Sequence, residues 1–515
     1  MVLALEPYKK RKGEKKIMNQ FLNGLKDASN LTYTENGALT HKTTKSKLYD
    51  MFAMGAAYRK RSDEDVILLF KSAYEENPEY ALKCLFWCRD VRGGAGERRF
   101  FRVCMNWLAK NDTTAARRNM PYIAEYGRYD DFYCLVDTPL EKEMFDFLKK
   151  QLIYDMSGAA PSLLAKWLCS CNASSRETIA LGDKTRKAFG LTQKEYRKVL
   201  SILRKRINVL ERLMSAGKWE EIEFDKIPSK AGLKYKKCFA NKDIIKKQYE
   251  NFAKDKNTKV NAAALYPHEV VEKALQARHR PLGDTDRLMV NKYWENLPDW
   301  VKDANFNGLC VVDTSGSMWG TPINVAISLG LYCAERAGGP FANHYISFAS
   351  RPQLIETSGV DFVDKVDRIY ATNLVDNTNI EAVFDLLLDT ARKSGCAKED
   401  IPQNIVIISD MQMDAARGLN RYYDYRTGKY VCNNLAPAET LMESIRSKWL
   451  ANGYQLPHLV YWNVDARDNT ILDGSPDVSY VSGFSPSIFK SILTGKTGID
   501  LMYDALNNER YAAIC

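Results

Sequence analysis

The sequence predicts two fold classes in series, α followed by α/β: an α-helical repeat over residues 17–300, then a doubly wound parallel-sheet domain over residues 301–515. Three observations predict it. From about residue 45 to 280, apolar residues recur at three- and four-residue spacing. Beyond residue 300 the pattern changes to short, β-rich, nearly continuous apolar runs separated by helical segments, as in a buried parallel sheet. The sign of the charge changes at the same place. Residues 1–300 carry 56 Lys and Arg against 39 Asp and Glu, a net +17, and residues 301–515 carry 18 against 25, a net −7.

In chain order, residues 1–16 hold the run KKRKGEKK and read as a basic flexible tail, either a solvated terminus or an auxiliary nucleic-acid contact or localisation signal. DEDVILLFKSAYEENPEYALKCLFWCRDV gives two amphipathic helices broken at Asn77–Pro78. RRFFRVCMNWLAKN, EKEMFDFLKKQLIYDM, APSLLAKWLCSC and KEYRKVLSILRKRINVLERLM continue the pattern. Successive helix pairs with short connectors predict a HEAT-like solenoid. The boundary falls in DWVKDANFNG. The strands are then GLCVVD (308–313), HYISFAS (344–350), NIVIISD (404–410), LPHLVYWNV (456–464) and VSYVSG. The intervening helices are PINVAISLGLYCAERA, NIEAVFDLLLDTARKSG and APAETLMESIRSKWLANG, with a last one in SPSIFKSILTG.

Composition narrows the functional classes. The 515 residues, 45% hydrophobic and 27% charged, allow two or three domains of an ordinary globular protein. No run of 18 uninterrupted apolar residues predicts a membrane helix, and the N-terminus lacks the order of a secretory signal. The 12 cysteines include no CxxC pair, so reduced thiols of a cytoplasmic protein are expected rather than a zinc site.

The chemistry concentrates in GLCVVDTSGSM. A buried strand ends in Asp313, and Ser315 and Ser317 follow on the next loop. In a doubly wound sheet, ligands bind beyond the carboxyl ends of the strands. VDNTNIEAVF places Thr378 just ahead of a helix, and IVIISD ends in Asp410, so three loops bring five oxygen side chains to one edge. Such hard ligands suit Mg²⁺, Mn²⁺ or Ca²⁺. With only two carboxylates, the ion stays electrophilic and accepts an outside carboxylate or phosphate. Asp and Ser after a strand also cap helices and make turns, which is the competing reading of DTSGS alone. No glycine-rich loop with Lys–Ser/Thr follows a strand, so a P-loop is excluded.

DTSGS, with a downstream Thr loop and a strand-ending Asp, resembles the metal-ion-dependent adhesion site (MIDAS) of von Willebrand factor A domains. The resemblance assigns metal coordination, direct or through water, to Asp313, Ser315, Ser317, Thr378 and Asp410. A helical repeat followed by an A domain in turn resembles the Ro (TROVE) RNA-binding proteins. RDVRGGAGERRFF (89–101) and EYGRYDDF (125–132) look similar to strings of that family. LAKWLCSCN, EYRKVLSILRKRINVLE, KIPSKAGLKYKKCF and LYPHEVVEKAL look closer to an uncharacterised Ro-like family. The Ro resemblance implies a helical array closed into a ring, and a small structured or single-stranded RNA as partner.

Candidate RNA contacts follow from charge. Arg92, Arg98 and Arg99 flank GGAG, whose glycines permit close approach of a ligand or form an ordinary loop. Arg197, Lys198, Arg204, Lys205 and Arg206 decorate one helix, where they can meet phosphates or only solvent. Lys230, Lys234, Lys236 and Lys237 surround Tyr235, mixing cations with an aromatic ring that either stacks on a base or packs. Arg278 and Arg280 flank His279 near the junction. The function expected is non-catalytic RNA binding, a ribonucleoprotein whose A domain serves assembly or recruits a protein that lends the metal an acidic residue. The alternatives are a metal-dependent protein scaffold without RNA and a metal-assisted phosphodiesterase, for which no histidine or carboxylate pair offers a base.

Overall fold

The computed structural model describes residues 29–158, 160–302, 306–348, 351–372, 378–414, 421–424, 429–432 and 439–515, with the strands at 421–424 and 429–432 followed as backbone. The 1–16 tail and residues 303–305 of the expected boundary lie outside the described residues.

The first element among the described residues is a hairpin that the sequence pattern did not announce. β1 (Leu31–Tyr33) pairs antiparallel with β2 (Leu39–His41), Thr32 opposite Thr40. Helices follow. Ser46 caps the helix Lys47–Met54 by accepting from the Tyr49 amide. Asn77, extended at φ −153°, ends the helix Asp63–Glu76 and caps the next, Pro78–Arg89, by accepting from the Tyr80 amide, which is the predicted break. Phe100, Phe101, Cys104, Met105 and Leu108 form the buried stripe of the helix Arg99–Asn111. Further helices pack on one another in sequence: Glu141–Ser157 on Arg176–Phe189, then Ser229–Asn241 on Asp243–Lys254, and both of these on Asp284–Glu295.

From residue 308 the predicted sheet appears. Its order is β10 (Ser479–Ser482), β9 (His458–Asn463), β6 (Asn404–Ser409), β3 (Gly308–Asp313), β4 (His344–Phe348) and β5 (Gln353–Glu356). All pairs are parallel except β4 with β5, an antiparallel edge strand too short and polar to stand out in the sequence. β3, buried at every residue, lies in the middle of the sheet, Val311 beside Ile346 and Ile407. The helix Thr321–Arg336 packs on β3, β4 and β6, and Gly330 is where it comes closest: a Cβ there would stand 2.4 Å from Val312 Cγ2. A second hairpin, β7 (Arg421–Asp424) with β8 (Lys429–Cys432), stands apart from the main sheet.

The two halves share one hydrophobic core. The helix Lys47–Met54 packs on β9 and β10, with Tyr49 edge-on to Tyr480. At the other end of the array, Pro267–His279 packs on Thr321–Arg336 and Phe362–Thr372. Both ends of the helical array therefore rest on the α/β half. Among the described residues no helix is long and apolar enough to cross a membrane, and the cysteines are free thiols.

Candidate metal centre and basic cavity

At the carboxyl edge of the sheet, the five predicted oxygen donors come from three loops. Asp313 is the last residue of β3, and Ser315 and Ser317 sit on the turn that follows. Thr378 lies two residues before the helix Ile380–Ser394, and Asp410 directly follows β6. Asp313, Ser315, Thr378 and Asp410 are all buried. The Ser315 amide donates to Asp313 Oδ1 at 2.9 Å, the Ser409 hydroxyl donates to Asp313 Oδ2, and the Ser315 and Ser317 hydroxyls are 3.0 Å apart. The Gln412 amide donates to Asp410 Oδ1 at 3.2 Å. Among the described residues Asp410 Oδ2, though buried, accepts no hydrogen bond. Among the described residues the nearest cation is Arg467, whose guanidinium lies 3.6 Å from Asp410 and 3.9 Å from Asp465.

Electrostatics tests whether a cation belongs here. Burial, and the charge of Asp410 beside it, push Asp313 up to about 7. Burial raises Asp410 as well, against the pull of the Ser317 hydroxyl, the Gln412 amide and Arg467. Among the described residues the two buried carboxylates have one guanidinium, shared with Asp465 and Glu35, and are under-compensated, because desolvation disfavours the charged form. A hard divalent ion would supply positive charge and a partner for Asp410 Oδ2, so the donor set fits Mg²⁺ or its relatives. Among the described residues no group of three or more His, Cys, Asp or Glu is arranged to hold a metal; this donor set is two carboxylates with hydroxyls.

The helical half builds a different site. A cavity of about 1040 Å³ is walled by nine cationic side chains against four carboxylates, with Trp167, Tyr266 and Phe484 among them. It reaches from the first helices (Arg59, Arg98, Arg99) across Lys166 to Lys230 and Lys234, and touches Thr321 and Phe484 of the α/β half. A neighbouring cavity of about 1090 Å³ holds Arg197, Lys198 and Arg204 and shares Lys166, Trp167 and Glu211 with the first.

Many of the wall cations are already paired. Asp131 accepts from Arg89 Nε and Nη2 at 2.8 and 2.6 Å, from Arg102 Nε at 2.6 Å and from the Arg128 amide at 2.9 Å. This network joins the string 89–101, through Arg89 and the adjoining Arg102, to 125–132, the two strings read as similar to Ro. Gly127 is required there, since a Cβ would stand 2.4 Å from Asp131 Oδ2. Two of the GGAG glycines are required by the chain's own packing. A Cβ on Gly94 would meet the Trp87 carbonyl oxygen at 2.0 Å, and one on Gly96 (φ +70°) the Tyr266 hydroxyl at 1.7 Å. Arg99 pairs with Asp63, and Lys230 with Glu269 at 2.8 Å. Among the described residues Arg98, Lys166 and Lys234 line the cavity without a carboxylate partner. Partial burial and the nearby Arg128 and Arg102 lower Arg98 from the usual guanidinium range.

The remaining candidates scatter. Arg92 lines a separate cavity of about 260 Å³ and donates to the Glu125 carbonyl at 2.7 Å. Arg204 donates to the Ala165 and Leu168 carbonyls, and Arg206 to those of Asp155 and Met156, so both tie helices together. Lys236 is buried beside Asp286 at 3.2 Å, which removes it from any surface. Tyr235 packs against Phe239, Arg278 pairs with Asp367 at 3.3 Å, and Lys205, Lys237 and Arg280 are exposed away from both cavities. Arg102, Arg128 and Trp167 were missed, although Arg128 stands within EYGRYDDF and stacks its guanidinium 3.9 Å above Trp167.

Fold and site together define a class: a helical array resting at both ends on an α/β domain that carries an acid–hydroxyl cluster at its sheet edge. A sequence profile described as a domain of unknown function, DUF2828, matches residues 34–153 and 149–305, more than half of the chain; the protein belongs to this family. A second domain of unknown function, DUF7788, matches residues 307–511. An uncharacterized protein of Acanthamoeba polyphaga mimivirus is 29% identical over 514 residues, covering 91% of this chain and 85% of that one. The crystal structure of the Deinococcus radiodurans RO (RSR) protein aligns over 88% of this chain and 100% of that one, with 11% identity and a TM-score of 0.38. At that score the function has to be argued from this chain's own residues.

Proposed function

We propose that the protein is a non-catalytic RNA-binding protein of the Ro-like kind, cytoplasmic, taking small structured or single-stranded RNA at the basic cavities of its helical half. One observation carries the reading. The cavity of about 1040 Å³ has an excess of cationic over acidic side chains, and Arg98, Lys166 and Lys234 stand in it without carboxylate partners among the described residues. Cations facing a solvent-filled concavity beside aromatic rings offer phosphate neutralisation together with base stacking, the combination that single-stranded nucleic acid uses. The +17 net charge of residues 1–300 supports the same partner.

Within this reading Asp313, Ser315, Ser317, Thr378 and Asp410 hold Mg²⁺, Mn²⁺ or Ca²⁺, supported by the buried Asp410 Oδ2, which accepts no hydrogen bond among the described residues, and by the buried Asp313 that shares the sheet edge. The ion would supply positive charge that steadies the sheet edge. The same open oxygen is what favours the second reading, a scaffold that binds another protein's acid through the metal.

Purification from cells at low salt, with the 260/280 nm absorbance ratio read and any retained RNA sequenced, tests the proposal. One structured RNA species enriched and released by salt is the expected result. A clean protein that also ignores added single-stranded RNA would transfer the assignment to the scaffold.

A further inference from the structure

The outer face of the acid–hydroxyl cluster is covered by the first half of the chain. The turn between β1 and β2 lies against the loop that follows Asp410. Thr34 Oγ1 donates to the Met413 carbonyl at 2.6 Å, the Glu35 amide to Gln412 Oε1 at 2.7 Å, and Asn36 Nδ2 to the Gln412 carbonyl at 2.6 Å. Gly37 bridges to Asp414. Asn36 Nδ2 also lies 3.4 Å from Thr378 Oγ1, so the turn touches one of the five candidate ligands.

The charges are shared in the same way. Arg467 donates to the Ser317 carbonyl, and its guanidinium lies 3.6 Å from Asp410, 3.9 Å from Asp465 and 3.6 Å from Glu35. Glu35 and Asp410 thus sit on one planar group, Glu35 on the outer side and half exposed. A dication bound by Asp313 and Asp410 repels that guanidinium and attracts the carboxylate behind it.

We propose that a cation at this site is closed over by the chain's own 34–37 turn. Glu35 supplies the outer carboxylate, Asn36 positions the turn on Thr378, and Arg467 is the tethered cation that the metal displaces. The inference rests on the metal reading and deepens it. The coordination place that an outside protein's acid would take is filled from within, and metal occupancy fastens the β1–β2 hairpin to the sheet edge.

Terbium luminescence on the full chain, sensitised through Trp319 two residues beyond Ser317, measures ion affinity directly. Wild type binds Tb³⁺, Asp313→Ala does not, and Glu35→Gln binds about tenfold more weakly. The comparison is repeated in an Arg467→Gln background, where the competing guanidinium is gone and Glu35→Gln must still weaken binding. Hydrogen exchange gives a second readout: Mg²⁺ slows exchange at the amides of Glu35 and Gly37 in wild type but not in Asp313→Ala. Equal Tb³⁺ affinity with and without Glu35, in both backgrounds, with exchange at 35–37 unchanged by Mg²⁺, overturns the closure while leaving the metal site standing. A wild type that binds no Tb³⁺ overturns the metal reading and the closure with it.

Discussion

The two halves of the molecule leave opposite charges under-compensated, and they do so by different constructions. At the sheet edge, Asp313 and Asp410 are held side by side by backbone and hydroxyl donors, with Arg467 at 3.6 Å from Asp410 the nearest cation among the described residues. In the helical half the cations are many, but most are matched: Arg89 and Arg102 to Asp131, Arg99 to Asp63, Lys230 to Glu269. Only a few remain to meet a ligand. Counting basic residues therefore overstates an anion site, while a pair of buried acids understates a cation site. What matters is the charge left over after the fold has paired its own.

The largest expected effect breaks the paired part of the cavity. Asp131→Ala leaves the Arg89 guanidinium, 2% exposed, without its carboxylate. Loss of one partner of a buried pair costs roughly 3–5 kcal/mol, read as a shift in the urea midpoint at constant slope. Next comes acid. Burial first, then Arg59 and Lys230, depress His268 to about 3. The unfolded histidine, near 6.5, binds the proton that the folded one refuses. Stability is thus fully present above about pH 6.5 and falls as pH drops from 6.5 toward 3, by up to about 1.4 kcal/mol per pH unit. His268→Gln should flatten that part of a denaturation–pH profile if the fold accepts the amide.

Smaller effects sharpen the contrast between the two sites. Asp410→Ala should abolish Tb³⁺ binding and leave RNA affinity within about twofold, because no cavity wall includes it. Lys237→Ala and Arg280→Ala, exposed and distant from both cavities, should change stability by less than about 0.5 kcal/mol and RNA affinity least of all. A large loss from either would relocate the interface to the outer surface.

Much of this was legible in the sequence. DTSGS, the Thr378 loop and the Asp410 strand end could be placed because each adjoins a periodic apolar segment, and the sheet order brings those ends together. The break at Asn77–Pro78 was legible through capping chemistry. The cover on the metal site was not, since a hairpin near residue 36 packs against residues some 376 positions away. The Asn36–Gly37 pair, with Gly37 at φ +91°, was the available signal for the turn. Adjacent lysines show the limit of charge reading. Lys236 points inward to Asp286 and Lys237 outward, a separation set by helical rotation of about 100° per residue. The cavity itself draws on residues 59 to 272 of the helical half, so no local run announced it.

The central claim is that the unpaired cations of the helical cavity bind RNA phosphates. It is tested most directly by fluorescence anisotropy of a labelled single-stranded RNA across a salt series, wild type beside an Arg98→Glu, Lys234→Glu double variant. The account predicts salt-sensitive binding by wild type, and in the variant at least about a tenfold loss with a log–log salt slope shallower by roughly 1–2. Identical affinity and slope in the two proteins, or no binding by either, would contradict it.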